Sequence, residues 1–262
     1  MSLTRLFLGL SVCLPRLAYS QAPGTRLTVD VTVTSIALRG DTATVSYTLY
    51  NRPTSQDSLL LFMVDAPAHV KSISRPSPDS LWSADTLLHA VQPVAMWGDL
   101  GLLAPAATSS ALSFESVGLP GIQQTWIQGS FPIPTGTESD SGPPPPASFE
   151  EFNVIGKTVG IDPWPNDRSS QALLARVRSL TQTTCDASLQ WISNASLCTQ
   201  MLADLDEAES QRAAGSPSAA RGAIDSFVSR LGGPDPANLA SGVTTSAYWL
   251  LKPNADIVRA LL

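Results

Sequence analysis

The sequence predicts an all-β immunoglobulin-like antiparallel sandwich followed by a small α-helical bundle, the two joined by a Pro-rich linker. Three observations predict it. Residues 26–134 alternate apolar and polar side chains with a period of two; residues 135–168 are dense in Pro, Ser, Gly and acids; from residue 169 onward apolar residues recur at helical spacing.

The first part reads as strands. "RLTVDVTVTS" places Leu27, Val29, Val31 and Val33 on one face, and "ATVSYTLYN" does the same with Ala43, Val45, Tyr47 and Leu49. Between them, "LRGDTA" supplies Gly40 and Asp41 for a hairpin turn. "SLLLFMVDAP" is apolar without alternation, as a strand buried on both faces would be. Shorter candidates follow at "HVKSIS", "TLLHAV", "PVAMWG", "SALSFESVG" and "QQTWIQGSF", with Pro, Gly, Asp and Ser between them. About seven short strands at this spacing predict an immunoglobulin-like sandwich over residues 26–134. No strand is followed by a helix of the length that a parallel crossover needs.

Residues 135–168 change character. "TGTESDSGPPPPASFEEF" holds four consecutive prolines, Pro143 to Pro146, which favour polyproline II and a semi-rigid spacer. "FNVIGKTVGI" offers an edge strand beside this boundary. In residues 169–262, "SSQALLARVRSL" repeats Leu173, Leu174, Val177 and Leu180 along one helix face, with Ser169 or Ser170 as its cap. A second helix aligns Leu197, Met201, Leu205 and Ala208 and ends near Gly215. A third begins with Ser216 and Pro217 and buries Ala220, Ile224, Phe227 and Leu231. The last carries Pro253, which predicts a kink or a division.

The stretches "LLARVRSL", "MLADLDEAESQRAAGSPSAARGAIDSFVSRL" and "NADIVRALL" resemble the FIMAH domain, a C-terminal helical module of exported bacterial proteins. The resemblance spans about residues 171–262. Pro253 and "GGPDPANLASG" depart from the family's pattern. The resemblance implies an accessory, non-catalytic role and an extracellular address; it carries over no catalytic residue.

The start of the chain points to the same address. "MSLTRLFLGLSVCLPRLAYS" has a basic residue at Arg5, an apolar run from Leu6 to Leu14, and small residues at Ala18 and Ser20, the pattern of a signal peptide over residues 1–20. Pro15 and Arg16 break the run below the length of a membrane span. Removing it takes Arg5, Arg16 and Cys13 and leaves 14 basic against 22 acidic residues, a formal charge of −8. Nucleic acid is a poor partner for such a chain, because phosphate affinity comes from clustered Lys and Arg. The expected partner is a protein or a glycan at the cell surface, with no membrane span in the mature chain.

Enzyme chemistry finds few supports. The only histidines are His69 and His89, both in strand-like stretches, and neither a G-x-S-x-G nor an H-E-x-x-H motif occurs. "IGKT" at 155–158 lacks the first glycine of a phosphate loop, since Glu151 stands there. Asp99, Glu115, Glu150 and Glu151 are candidate carboxylates for a glycosidase pair, which sequence cannot place at a separation. Asp162 and Asp167 are acids near the linker without calcium-ligand spacing. No cofactor and no metal is expected. Trp82, Trp97 and Trp126 are candidates for a ligand platform; Trp97 and Trp126, set among apolar neighbours, read first as core, while Trp82 follows a loop-like stretch. "RGD" at Arg39 to Asp41 reads as an ordinary turn.

"TTCDASLQWISNASLC" then holds the mature chain's two cysteines, Cys185 and Cys198, with twelve residues between them. That spacing fits neither a C-x-x-C redox pair nor a four-ligand metal site. A disulfide between the first and second helices is expected, consistent with export. The N-x-S sequon at Asn194 lies inside the same stretch.

Overall fold

The computed structural model describes residues 27–74, 82–89, 92–129 and 153–262, without the side chains at 82–85, 87–89, 92, 99–102 and 153. The signal-like residues 1–20, Pro143 to Pro146, Glu150 and Glu151 lie outside the described residues.

Nine strands among the described residues build two antiparallel sheets. In chain order they are β1 (Val29–Arg39), β2 (Thr42–Asn51), β3 (Leu59–Asp65), β4 (Val70–Ser74), β5 (Trp82–His89), β6 (Gln92–Leu103), β7 (Leu112–Val117), β8 (Leu119–Gly129) and β9 (Asn153–Asp162). One sheet has the order β1-β2-β7-β4 and the other β5-β6-β3-β8-β9. The chain crosses between the sheets five times, from β2 to β3, β3 to β4, β4 to β5, β6 to β7 and β7 to β8, and the two antiparallel sheets form an immunoglobulin-like sandwich. β9 lies inside the stretch read from sequence as spacer, where it pairs with β8 along its whole length, from Asn153 opposite Gln128 to Asp162 opposite Leu119.

The period-two pattern acts as expected in β2, where Ala43, Val45, Tyr47 and Leu49 are all fully buried. In β1 the pairing register shifts between Val33 and Ser35, so burial passes from Val33 to Ile36 rather than continuing on odd positions. The apolar run of β3 is buried on both faces. Phe62 and Val64 enter the space between the sheets, whereas Met63 joins Val94 and Trp126 in a second cluster on the opposite face. At the centre of the sandwich Tyr47, Phe62, Trp97 and Phe114 meet with ring centroids 5.6 to 6.4 Å apart. The Tyr47 hydroxyl donates to the Val159 carbonyl at 2.7 Å, and burial holds its pKa well above the ordinary value.

Four helices follow: α1 (Ser170–Cys185), α2 (Ala195–Ala213), α3 (Pro217–Arg230) and α4 (Thr245–Leu261). Ser169 caps α1 by accepting from the Ala172 amide, and Pro217 opens α3 at its first position. The predicted faces are the buried ones: Leu173, Leu174 and Val177 in α1, Met201, Leu205 and Ala208 in α2, and Ala220, Ile224 and Phe227 in α3.

The chain does not divide at Pro253: α4 runs from Thr245 to Leu261 through it. A proline inside a helix removes one N–H and crowds the preceding turn. Here Pro253, Asn254 and Ala255 are all buried, so packing holds the segment. The Asn254 amide supplies a donor in the same turn, reaching the Leu250 carbonyl at 2.7 Å.

The helices and the sandwich share one core rather than sitting apart at the ends of a spacer. α4 packs against β1, β8 and β9, closing the side of the sandwich along which the two edge strands β1 and β9 run. Polar contacts fix the docking. Asn254 donates to the Pro120 carbonyl at 3.0 Å, and the Trp164 indole donates to the Asp41 carbonyl at 2.8 Å. Both reach back from the C-terminal part of the chain to the sandwich, one to the start of β8 and the other to the β1–β2 turn.

Candidate groove between the sheet edges and the fourth helix

Where α4 begins, the closure of the sandwich leaves a groove of about 460 Å³. That volume lies within the roughly 300–1,000 Å³ typical of small-molecule sites. Val29, Asp30, Val31 and Thr32 of β1 form one wall, and Thr125, Ile127, Val154 and Gly156 of β8 and β9 form another. Trp191, Lys157, Thr244, Thr245 and Ser246 complete it. Five separate stretches of chain therefore meet here.

Trp191 is half-buried and sits on the connection between α1 and α2. Its backbone is fixed from both sides: the Trp191 carbonyl accepts from the Thr244 amide at 3.0 Å, and the next residue, Ile192, donates to the Thr184 carbonyl at 3.0 Å. Ile192 also forms a bridge with Val243, and Ser193 donates to the Gly242 carbonyl at 2.9 Å. Gly242 has a φ of 87° and a Cβ there would crowd Ser193 and Asn194, so glycine is required for this approach. The Cys185–Cys198 disulfide, with Cα atoms 6.1 Å apart, ties the two ends of the connection. A half-buried aromatic residue thus sits on a loop held by backbone bonds and a disulfide.

The groove's charges are unequal in their commitments. Asp30 is held by Arg52, whose Nη2 lies 2.6 Å away, and this hydrogen bond raises the Arg52 pKa. Lys157, exposed on β9, has no ion-pair partner among the described residues. The start of α4 is capped by Thr244, whose Oγ1 accepts from the Ala247 amide at 3.2 Å. The amides of Thr245 and Ser246 have no acceptor among the described residues, as the first turn of a helix dictates. Thr125, on the wall of the groove, is only 2% exposed. It lies opposite Gly156 in the β8–β9 pair, and a Cβ at Gly156 would come 3.1 Å from its Oγ1. The absent side chain keeps the hydroxyl open to the groove.

The residues singled out from sequence fall elsewhere. Trp97 is completely buried between the sheets, its indole donating to the Ser74 carbonyl at 3.3 Å. Trp126 is 4% exposed and lies on the opposite face of the same sheet, against Met63 and Val94. These two cannot share an exposed platform, because adjacent strand positions Phe62 and Met63 pair with them on opposite faces. The Trp82 backbone pairs with Asp99, and the side chains of both lie outside the described residues, as does that of His89. His69 is exposed, and its carbonyl accepts from the Ser116 hydroxyl at 2.7 Å.

Glu115 is half-buried in β7, opposite Thr44. Asp162 accepts from Gln123 and pairs with Arg176, and Asp167 accepts from the Ser169 amide at 2.8 Å, which lowers its pKa. Both acids are consumed by the protein itself. No group of three or more potential metal ligands occurs among the described residues, and no helix among them is long and apolar enough to cross a membrane.

Gly40 and Asp41 form the two-residue tip of the β1–β2 hairpin, with Gly40 at a φ of 63°. Asn194 of the sequon is the cap of α2, its Oδ1 accepting from the Leu197 amide at 3.1 Å. Two groove residues were visible in sequence under other headings. Lys157 belongs to the "IGKT" that lacks the first glycine of a phosphate loop, and Trp191 stands inside "TTCDASLQWISNASLC". Thr244, Thr245 and Ser246 carry the signal of a helix start, but nothing local says that β1 and β9 will stand beside it.

No family model matches the chain, and no curated protein matches it. Among solved structures, the chitin-binding domain of a Streptomyces coelicolor protein aligns at 25% identity over 35% of this chain and 80% of that one, with a TM-score of 0.23. An uncharacterised Nocardia farcinica protein with an immunoglobulin-like fold aligns at 15% identity over 49% of this chain and 94% of that one, with a TM-score of 0.26. An exo-β-N-acetylglucosaminidase of Vibrio harveyi aligns at 16% identity over 39% of this chain and 16% of that one, with a TM-score of 0.24. Alignments of this quality assign neither ligand nor activity.

Proposed function

We propose that the protein is an exported, non-catalytic binding protein whose ligand, a glycan segment or another ring-bearing polar molecule, occupies the groove between β1, β9 and α4. The carrying observation is Trp191, half-buried and held by backbone bonds on both sides, on the wall of a groove whose other residues include several hydroxyls. An indole face packs against the apolar face of a sugar ring, while hydroxyl side chains both donate and accept around its rim. Export rests on the signal-like residues 1–20 and agrees with a disulfide that belongs in an oxidising compartment. The resemblance of residues 171–262 to the FIMAH domain supports the accessory, non-catalytic role.

Glycan-array screening of the secreted chain, followed by titration of the hits, tests the reading. Trp191→Ala is expected to weaken binding about tenfold or more, the equivalent of roughly 1.4 kcal/mol, with the far-ultraviolet spectrum unchanged. Binding that survives Trp191→Ala undiminished places the ligand elsewhere.

A further inference from the structure

We infer that the groove takes an extended peptide segment of another protein, which adds to the free edge of β1 as a further strand and carries an aromatic and an acidic side chain. The inference rests on the reading of the groove as a ligand site and names the ring-bearing molecule there as a peptide.

The backbone of β1 carries it. β1 stands at the edge of its sheet, with β2 on one side only. Which of its residues turn toward β2 follows from the other bonds of β2. Leu49 bonds Ser109, and Asn51 bonds Ala106 and Ala107, through both backbone groups, in the run that leads to β7 on the far side of β2. The Arg52 amide instead donates to the Thr28 carbonyl at 2.9 Å. Bonded and non-bonded pairs alternate along an antiparallel ladder, so Asp30 and Thr32, opposite Tyr50 and Thr48, are the residues bonded to β2. Val29 and Val31, opposite Asn51 and Leu49, turn amide and carbonyl outward, where neither has a partner among the described residues. Both line the groove.

Further along, the edge is closed. The pairing register of β1 slips between Val33 and Ser35, and α4 packs on the strand, with its Ile257 and Leu261 beside Gly40 and Asp41 at the β1–β2 turn. The open part is residues 29–32, about 13 Å of strand at the usual rise. A residue that offers amide and carbonyl to the same side is matched by a residue of an extended chain, and two of them at i and i+2 match that chain's two-residue period. Peptide residues opposite Val29 and Val31 share their face of the sheet, which packs toward the core beside Ile127, Val154 and Trp191. An aromatic side chain there packs on Trp191. Charge completes the fit: Lys157 lines the groove with no ion-pair partner among the described residues, while Asp30 is held by Arg52, so an acidic side chain on the peptide is favoured.

The probe is an array of short synthetic peptides with alternating apolar and polar residues, made in an acidic and a neutral series and offered to the secreted chain. Peptides that bind are expected to give saturable shifts of the Val29 and Val31 amide resonances. N-methylation along the tightest peptide should weaken binding about tenfold at every second residue and little in between, because only alternate amides donate to β1. Val31→Pro should remove a docking donor while keeping the β1–β2 bonds, and Lys157→Gln should erase the preference for the acidic series.

Uniform tolerance of N-methylation overturns strand addition, whether or not Val31→Pro folds. Equal binding of the acidic and neutral series overturns the acidic side chain. Glycan binding that Trp191→Ala weakens, with no shift from any peptide, overturns the peptide and leaves the groove reading standing. A chain that binds neither glycan nor peptide overturns both.

Discussion

Arg176 of α1 and Asp162 at the end of β9 are joined at 2.7 Å, and the same guanidinium nitrogen reaches the Pro120 carbonyl of β8 at 2.9 Å. One side chain therefore fastens the helical layer to two strands of a sheet. Arg176→Ala leaves the Asp162 carboxylate with Gln123 alone and the Pro120 carbonyl with Asn254 alone. The two charged side chains are 21% and 28% exposed, so solvent screens part of the loss. A destabilisation of about 1–2 kcal/mol is expected by urea denaturation. An unchanged midpoint would show that the apolar packing of α4 carries the docking by itself.

The disulfide affects more than the connection it closes. Cys185→Ser with Cys198→Ser should lower stability by about 3 kcal/mol on the chain-entropy account. Because the cysteines flank the loop that carries Trp191, the double variant should also loosen that loop. Hydrogen exchange at Ile192 and Ser193 is the measurement, and protection equal to the parent's would show that the bonds to Thr184 and Gly242 suffice.

Asn194 acts as a cap whether or not its sequon is ever used. Asn194→Ala should cost about 1 kcal/mol, and Asn194→Asp should cost far less, since the carboxylate accepts the same Leu197 amide and suits the helix start. Thermal melts of the two variants separate capping from a general effect of substitution: equal losses would refute the capping role.

Trp97 is a packing residue, in contact with Tyr47, Phe62 and Phe114. Trp97→Ala should destabilise by about 3–5 kcal/mol through the cavity it leaves. Trp97→Phe should recover much of that. Denaturation midpoints that hardly move in Trp97→Ala would require the sandwich to collapse around the void.

Stability should fall in acid. The carboxylates of Asp167, Asp186 and Glu209 have pKa values below their ordinary 3.8, 3.8 and 4.5, owing first to hydrogen bonds from Ser169, Ser188 and Arg212 respectively. A carboxylate with a lowered native pKa stabilises the fold above its ordinary value, and the contribution disappears as pH falls through the lowered one. The expected loss therefore starts near pH 4.5 and continues below 3.8. Denaturation midpoints of a variant with Asp167→Asn, Asp186→Asn and Glu209→Gln should vary less with pH across that window; an identical slope would locate the acid sensitivity in other groups.

Much of the fold follows from local chemistry. Tyr47 and Leu49 alternate because strands do, and Ser169 and Pro217 announce helix starts because orphan amides need caps and the first helical position tolerates proline. β9 was readable only as a possible edge, since its Gly156 and Gly160 weaken the strand pattern and its partner β8 ends 23 residues before it begins. Pro253 misleads because helix propensity is a local quantity, whereas the burial that overrides it comes from β8, more than 130 positions earlier. The groove was illegible for the same reason. Trp191, Lys157 and Thr125 share no periodicity and no motif, and only the docking of α4 on the sheet edges brings them together.

The shared core also sets the unit that can be inherited. A gene segment ending at residue 129 would encode a sandwich lacking β9, with β8 left as a bare edge open to pairing with other chains. A segment beginning at residue 169 would encode helices whose α4 has lost the strands beneath it. Neither piece could be shuffled into another protein and keep its shape, so the groove at their seam travels only with both.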